Sequence, residues 1–142
     1  MSFLLDTCFV SELTKRKRDE GVIRWLDEQD EAELFLSAVT VGELEKGLAK
    51  LRDPVRRRRL RAFIETEIFE RFRERTVGMD DRVWRRWGAL CGAAERAGAP
   101  LPVLDALVAA VAQVNGLTVV TRNEHDFARC EVPIVNPWAS AR

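Results

Sequence analysis

Residues 102–120, PVLDALVAAVAQVNGLTVV, are the part of the sequence that most clearly indicates the fold class. Pro102 suits the start of a helix, and the spacing predicts a strongly apolar helix from Val103 to Val114. Asn115-Gly116 predicts its end, because these residues readily take the left-handed backbone of a helix C-terminus. The next residues, Leu117 to Val120, have the clearest strand pattern in the chain. An apolar helix followed by a buried strand is typical of layered α/β proteins.

The same alternation of helix and strand continues along the rest of the sequence. Apolar runs predict strands at residues 3–5, 33–37, 76–79, 117–120 and 132–135. Apolar spacings of three and four predict the helices, which cover residues 10–26 (broken near Gly21), 40–51, 54–73, 80–97 and 103–114. Alternation of this kind implies a mainly parallel sheet covered on both faces. We therefore predict a three-layer α/β/α sandwich formed by one domain, residues 1–142.

Composition and the N-terminal residues limit the class of protein. The chain is 46% hydrophobic and 32% charged, which suits a globular domain rather than a disordered chain. No stretch approaches the ~20 apolar residues that span a bilayer. Met1 to Asp6 lacks the basic start of a signal peptide. Three widely spaced cysteines cannot form a disulfide framework. Together these features lead us to expect a cytoplasmic protein without membrane contact.

The net charge of the chain is zero, but the charged residues are unevenly distributed along the sequence. Basic and acidic residues both number 23, so the net charge is zero. A nonspecific nucleic-acid coat would be basic, so any such contact must be local or pass through bound metal. The densest basic run is Arg56 to Arg59, flanked by Arg52 and Arg61. It is interpreted as a solvated helix face, with a patch for phosphates or an acidic partner as the alternative.

Several polar side chains follow the predicted strands. Asp6 comes directly after the first strand, and Glu43 lies in the helix after the second. Asp105 lies in the first turn of the Pro102 helix, while Asn123 and Asp126 follow the strand that ends at Val120. Because the carboxyl ends of parallel strands share one edge, these groups are expected to gather there.

Clustered carboxylates repel one another unless protons or cations share the space. Oxygen ligands without cysteine suit Mg²⁺, with Mn²⁺ as the alternative. The lone His125 cannot complete a zinc site with them. Such ions activate water and stabilise the leaving oxygen of a phosphodiester. The acids therefore predict a divalent-metal site.

Each acid also has a purely structural interpretation. Thr40 and Glu43 match a helix capping box, in which the glutamate bonds the backbone of the threonine. Asp105 lies near a positive helix end, where an acid is favoured by the dipole alone. Asp6 suits a turn after a strand, and Asp126 suits an N-cap or plain surface.

Five motifs in order resemble those of PIN domains, and the second and last are most similar to the FitB-like branch of VapC toxins. They are Leu4-Leu5-Asp6-Thr7, Leu36-Ser37-Ala38-Val39-Thr40-Val41-Gly42-Glu43-Leu44, Leu101-Pro102-Val103-Leu104-Asp105-Ala106-Leu107-Val108-Ala109, Val120-Thr121-Arg122-Asn123-Glu124-His125-Asp126-Phe127 and Val135-Asn136-Pro137-Trp138. The resemblance implies a metal-dependent endoribonuclease toxin that cleaves RNA and is held inactive by a VapB-like antitoxin. It also implies a homodimer, or a heterotetramer or larger assembly with the antitoxin.

The resemblance implies roles for individual residues. Asp6, Glu43 and Asp105 match the three principal metal-binding acids, and the fourth position falls on Asn123 or Asp126. One departure is that the family usually has Asn where this chain has Cys8. The thiol lacks the amide's donor and acceptor, which puts one supporting hydrogen bond in doubt.

Three other functions share parts of this pattern. A receiver domain of two-component signalling is also a small α/β domain with an acidic Mg²⁺ pocket. It normally needs paired acids after the first strand and a late lysine, and no lysine follows Lys50 here. A Mg²⁺ phosphatase usually needs Asp-x-Asp where this chain has Asp6-Thr7-Cys8. A PIN-fold nuclease acting on other nucleic acid stays open, because nothing here recognises a 2′-hydroxyl.

Overall fold

The structure is a computed structural model that describes residues 1–138. At its centre lies a five-stranded sheet in which every neighbouring pair is parallel. The strands are β1 (Phe3–Leu5), β2 (Leu34–Ser37), β3 (Thr76–Val77), β4 (Thr118–Val120) and β5 (Ile134–Val135). Their order across the sheet is β3-β2-β1-β4-β5, so β1 is the central strand.

Helices connect the strands and cover the sheet. They are α1 (Thr7–Leu13), α2 (Glu20–Asp27), α3 (Ala38–Lys50), α4 (Pro54–Ile64), α5 (Asp81–Arg96), α6 (Val103–Asn115) and α7 (Glu124–Ala128). Short 3-10 turns occupy Glu31–Glu33 and Arg73–Arg75, and a π-helix occupies Glu65–Glu70. No helix among the described residues combines the length and apolar character needed to cross a bilayer.

The core has two halves, one on each face of the sheet. Successive residues of β1 point to opposite faces, so Phe3 and Leu5 enter one half and Leu4 the other. The first half is packed by α1 to α4 and the second by α5, α6 and α7. The predicted three-layer α/β/α sandwich is confirmed, and its sheet is parallel throughout residues 1–138.

Two local features differ from the sequence prediction. The helix predicted from Pro54 to Arg73 ends as an α-helix at Ile64 and continues as a π-helix. There the hydroxyl of Thr66 donates to the carbonyl of Ala62 at 2.9 Å, and such bonds compete with the regular helix ladder. Helix α7 was not predicted, because its five residues are too few for a periodic pattern.

Candidate active site

The sheet order brings three loops together at one edge. Strand β1 lies between β2 and β4, and all three run in the same direction. Their carboxyl ends therefore meet, and Asp6 stands at the centre of that edge, directly after β1. The helix that follows β2 carries Glu43, and the loop and helix after β4 carry Asn123 and Asp126.

Asp6 is a buried carboxylate, only 4% exposed. It caps α1, where its Oδ1 accepts a bond from the Thr7 backbone at 2.9 Å. Its Oδ2 accepts from the Thr121 hydroxyl at 2.8 Å. Burial raises the pKa of Asp6 above its ordinary value and the charge of Glu43 adds to this, although the bonds from Thr121 and Thr7 oppose it. The Cys8 thiol is a third donor that also lowers this pKa, and even so the site disfavours the ionised carboxylate.

Cys8 supports Asp6 in place of the amide that the family usually has. Its Sγ donates to Oδ2 of Asp6 at 3.5 Å and lies 3.5 Å from the hydroxyl of Thr121. Burial, followed by the charge of Asp6, raises the pKa of the Cys8 thiol to about 11, so the thiol keeps its proton. A weak S–H donor thus faces the carboxylate.

Glu43 is not part of a capping box, and that interpretation is wrong. Helix α3 begins at Ala38, and the hydroxyl of its N-cap, Ser37, accepts from the Thr40 backbone at 3.3 Å. Glu43 therefore lies in the second turn, too far along to cap. Its Oε1 instead accepts from the Thr7 hydroxyl at 2.7 Å, which ties α3 to the residue after Asp6.

Asp105 interacts with Asp126 through their side chains. Asp105 lies half-buried in the first turn of α6, and Asp126 lies half-buried in α7. Burial raises the pKa of Asp105 to about 6, and the charges of Asp6 and Asp126, a side-chain hydrogen bond with Asp126 and the charge of Glu43 contribute further. The four acids thus form one electrostatically coupled group.

Asn123 occupies a different position from Asp126. It is exposed at the start of α7 and makes no side-chain capping bond. Its backbone N–H donates to the Thr121 hydroxyl at 3.0 Å, and within residues 1–138 no hydrogen bond joins its side chain to the acids. The structure therefore brings Asp126, rather than the Asn123 side chain, to Asp105.

Sequence reasoning missed the threonines that hold these acids. Thr7 bonds both Asp6 and Glu43, and Thr121, which is fully buried, bonds Asp6. Both stand within two residues of a strand end, in the motifs that contain Asp6 and Asn123. Each hydroxyl donates to an acid that is distant in the sequence, Thr7 to Glu43 and Thr121 to Asp6, so no local sequence signal identifies these bonds.

The donor chemistry suits a hard divalent cation. The four coupled acids offer carboxylate oxygens, and burial and mutual repulsion make the negative charge of Asp6 and Asp105 unfavourable unless a cation compensates it. Within residues 1–138, however, no three His, Cys, Asp or Glu side chains are close enough together to hold a metal ion. The acids are coupled without forming a closed ligand shell.

The coupled acids lie at the carboxyl edge of the central strand, which is where open parallel α/β sheets bind their ligands. The family model for the PIN domain matches residues 3–132, and the chain belongs to the PIN family.

Relatives match the chain along nearly its whole length. Toxin FitB of Neisseria gonorrhoeae is 33% identical over 135 residues, which cover 95% of this chain and 97% of FitB. VapC ribonuclease Y4jK of Sinorhizobium fredii is 34% identical over 138 residues, covering 97% and 99%. A chain in the crystal structure of FitAcB from Neisseria gonorrhoeae aligns with a TM-score of 0.90 at 32% identity, covering 96% and 99%. The resemblance to FitB-like VapC toxins is confirmed.

Proposed function

We propose that this chain is the endoribonuclease toxin of a toxin–antitoxin pair and that it hydrolyses RNA phosphodiester bonds. The proposed active-site residues are Asp6, Glu43, Asp105 and Asp126. The observation that carries the proposal is the coupled acid group at the carboxyl edge of β1, in a chain similar over its length to a VapC ribonuclease. Mg²⁺ is the proposed cofactor and Mn²⁺ its substitute. Asp126 is preferred to Asn123 as the fourth member because its side chain interacts with Asp105.

The side chains of the site have separable tasks. A bound Mg²⁺ supplies positive charge for the phosphate and lowers the pKa of water. Thr121 and the Thr7 backbone hold the two oxygens of Asp6 in one orientation. The Thr7 hydroxyl holds Oε1 of Glu43 beside it. Burial and the neighbouring acids raise the pKa of Asp105 to about 6, so a positive charge beside it would favour its ionised, ligating form.

The direct test is cleavage by the partner-free protein. Purified protein is incubated with a panel of cellular RNAs in Mg²⁺, in Mn²⁺ and in EDTA. Cleavage that requires the added ion, and that is lost in Asp105→Asn, supports the proposal. Cleavage that persists in EDTA would contradict metal dependence. Single-stranded DNA of matched sequence is included, because its cleavage in place of RNA would favour the other nucleic acid as the substrate.

The proposed partner is a VapB-like antitoxin. Structural relatives include FitAcB and a DNA-bound VapBC from Salmonella typhimurium, the latter with a TM-score of 0.78 at 28% identity. We expect the antitoxin to place an arginine or lysine near Asp6, Glu43 and Asp105, replacing the charge of the cation. It should also bury apolar surface against the helices between Val10 and Leu51. Light scattering tests the assembly state. We expect a homodimer of this chain alone, or a heterotetramer or larger assembly with the antitoxin.

Changing that basic antitoxin residue to alanine tests the charge replacement. Weaker inhibition and restored metal entry are expected. If the alanine variant inhibits equally well and metal still cannot enter, steric cover alone explains inhibition. The nuclease proposal is unaffected by that result, since it depends on the acids of this chain.

A further inference from the structure

One segment carries an excess of positive charge that the site does not use. The basic segment, residues 46–59, contains seven basic residues and one acidic residue, a net charge of +6. Because the whole chain is neutral, the remaining residues together carry −6. The segment covers the end of α3, the turn after it and the start of α4. Positive charge is therefore concentrated in this segment of the sequence rather than spread evenly along the chain.

The charges of the basic segment are exposed and largely uncompensated. Six of its cations are exposed and join no ion pair among residues 1–138: Lys46, Lys50, Arg52, Arg56, Arg58 and Arg59. Its one acid, Asp53, caps α4 by accepting from the backbone of Val55 and Arg56. Elsewhere arginines do pair, as Arg61 does with Glu45 at 2.7 Å. Like charges at this density repel unless a polyanion lies against them.

The basic segment begins beside the candidate active site. Lys46 and Lys50 follow Glu43 by three and seven positions on α3, so all three lie on one helix face. Seven residues of helix rise about 10 Å, which sets the distance from the acid to the second lysine along the axis. A cleft lined by Ser11, Thr14, Glu43, Gly47, Leu60 and neighbouring residues leads from the acid between α1 and α3 towards α4. Glu43 and Lys46 also line one further pocket, so the acid and the first cation of the basic segment share a surface.

We propose that the basic segment binds the backbone phosphates of the RNA strand and directs the strand across the acid group, an inference that rests on the proposed ribonuclease function. Five of its seven cations are arginines, whose planar guanidinium binds phosphate through two hydrogen bonds. Phosphate contacts carry no sequence information, so the segment sets position and affinity rather than the cleavage sequence. RNA is favoured over an acidic protein because the cations continue the surface that starts at Glu43.

Equilibrium binding tests the proposal without requiring cleavage. The test variant is Arg56→Gln/Arg58→Gln/Arg59→Gln, and the matched control is Arg24→Gln/Arg73→Gln/Arg96→Gln, which removes three exposed arginines from outside the segment. Both are placed in an Asp105→Asn background in EDTA and titrated with a labelled single-stranded RNA of roughly 20 nucleotides. We expect at least about tenfold weaker binding at low salt for the test variant. Its slope of log affinity against log salt should become shallower by about 2, since each lost contact on a single strand contributes ~0.7.

The remaining outcomes overturn the proposal. Equal binding and equal salt slopes for the test and control variants would show that the basic segment does not contact RNA. Binding of poly-glutamate by the wild type, lost in the test variant while RNA binding is retained, would assign the segment to an acidic protein partner. Circular dichroism and melting of both variants verify that each is folded.

A cleavage assay distinguishes failure of this inference from failure of the proposed function. With the Asp105 side chain restored, the ratio of kcat/KM for the long RNA to that for a trinucleotide should fall about tenfold in the test variant and not in the control. An unchanged ratio contradicts the proposal even if RNA is cleaved. If the wild type cleaves no RNA, the nuclease function fails, while the binding titration still reports on the basic segment.

Discussion

The two ends of helix α1 hold two buried carboxylates in opposite environments. Asp6 is 4% exposed and Glu12 is 5% exposed. Burial raises the pKa of both groups, but only for Glu12 do hydrogen bonds and charge outweigh it and hold the pKa below its usual value. Glu12 accepts from Lys15 Nζ at 3.0 Å, the Asp19 backbone at 3.0 Å and Trp138 Nε1 at 3.4 Å.

The two side chains are almost equally shielded from solvent, but Asp6 lies deeper in the protein than Glu12, and the groups around each acid also differ. Glu12 has a cation and two N–H donors, so its negative charge is already compensated. Asp6 joins no ion pair within residues 1–138, and its charged neighbours, Glu43 and Asp105, are themselves acids. A buried acid in a compensated environment stabilises the fold. A buried acid among other acids costs stability and becomes useful when a cation arrives.

The largest contrast is expected in RNA cleavage. Asp6→Asn should lower kcat/KM by about 100-fold or more, because it removes a charge that would hold the cation. Glu12→Gln, measured at a temperature where it is folded, should stay within a few-fold of the wild type. Steady-state cleavage at saturating Mg²⁺ measures both. A comparable loss for Glu12→Gln would mean that this end of α1 also serves the chemistry.

The second contrast is expected in folding stability. Glu12→Ala should lower the free energy of unfolding by roughly 2 to 3 kcal/mol, since it leaves Lys15, the Asp19 N–H and the buried Trp138 N–H without their acceptor. Glu70→Ala, at an exposed acid, is the control and should change stability by less than about 0.5 kcal/mol. Urea denaturation measures both. Equal effects would show that the bonds to Glu12 add nothing beyond surface charge.

Asp105→Asn should raise the folding stability, whereas Glu12→Ala lowers it. It keeps the shape of the side chain and removes a charge that burial and three neighbouring acids disfavour. Without metal, the melting temperature should rise by about 3 to 5 °C while RNA cleavage is lost. Differential scanning calorimetry in EDTA provides the measurement. Loss of both stability and activity would instead support a structural role for Asp105.

The contrast between Asp6 and Glu12 shows what the sequence could and could not supply. The strand pattern and the acids that follow the strands were readable, because both depend on neighbours in the chain. The residues that donate hydrogen bonds to these acids could not be predicted, because they lie far from the acids in the sequence. Thr121 reaches Asp6 across 115 positions, and Trp138 reaches Glu12 across 126. Glu12 itself was not singled out, since nothing local distinguishes it from a surface glutamate.

Glu43 shows the converse error, in which a local pattern was misleading. Thr40 and Glu43 have the spacing of a capping box, and that pattern depends on where the helix begins. The start of α3 is set by Ser37, which ends β2 and caps the helix. Moving the start by a few residues changes Glu43 from a capping residue to one that faces Thr7. Helix boundaries are the least certain part of a sequence prediction, and here the boundary decided the interpretation of the residue.

The smallest effect, and the most specific, is the dependence of the Asp105→Asn stabilisation on pH. The folded-state pKa of Asp105 is about 6 and its ordinary value is 3.8, so between these values the folded chain holds a proton that the unfolded chain releases. The stability that this proton provides is complete below the ordinary value and is lost as pH rises through about 6. The lowered pKa of Glu12 acts in the opposite sense, since its contribution is lost as pH falls. The contribution of Glu12 cancels when the stability of the wild type is subtracted from that of Asp105→Asn, because both proteins contain Glu12.

The difference in melting temperature between Asp105→Asn and the wild type should therefore be small at about pH 4.5 and reach its full few degrees by about pH 7.5 in EDTA. Adding Mg²⁺ at the higher pH should stabilise the wild type more than the variant and reduce the difference, because a cation offsets the repulsion that the asparagine has already removed. A difference that is the same at both pH values would mean that packing, rather than charge, accounts for the stabilisation. In that case Asp105 would resemble Glu12 more than Asp6, and the division of the buried acids into compensated and uncompensated groups would be wrong at this residue.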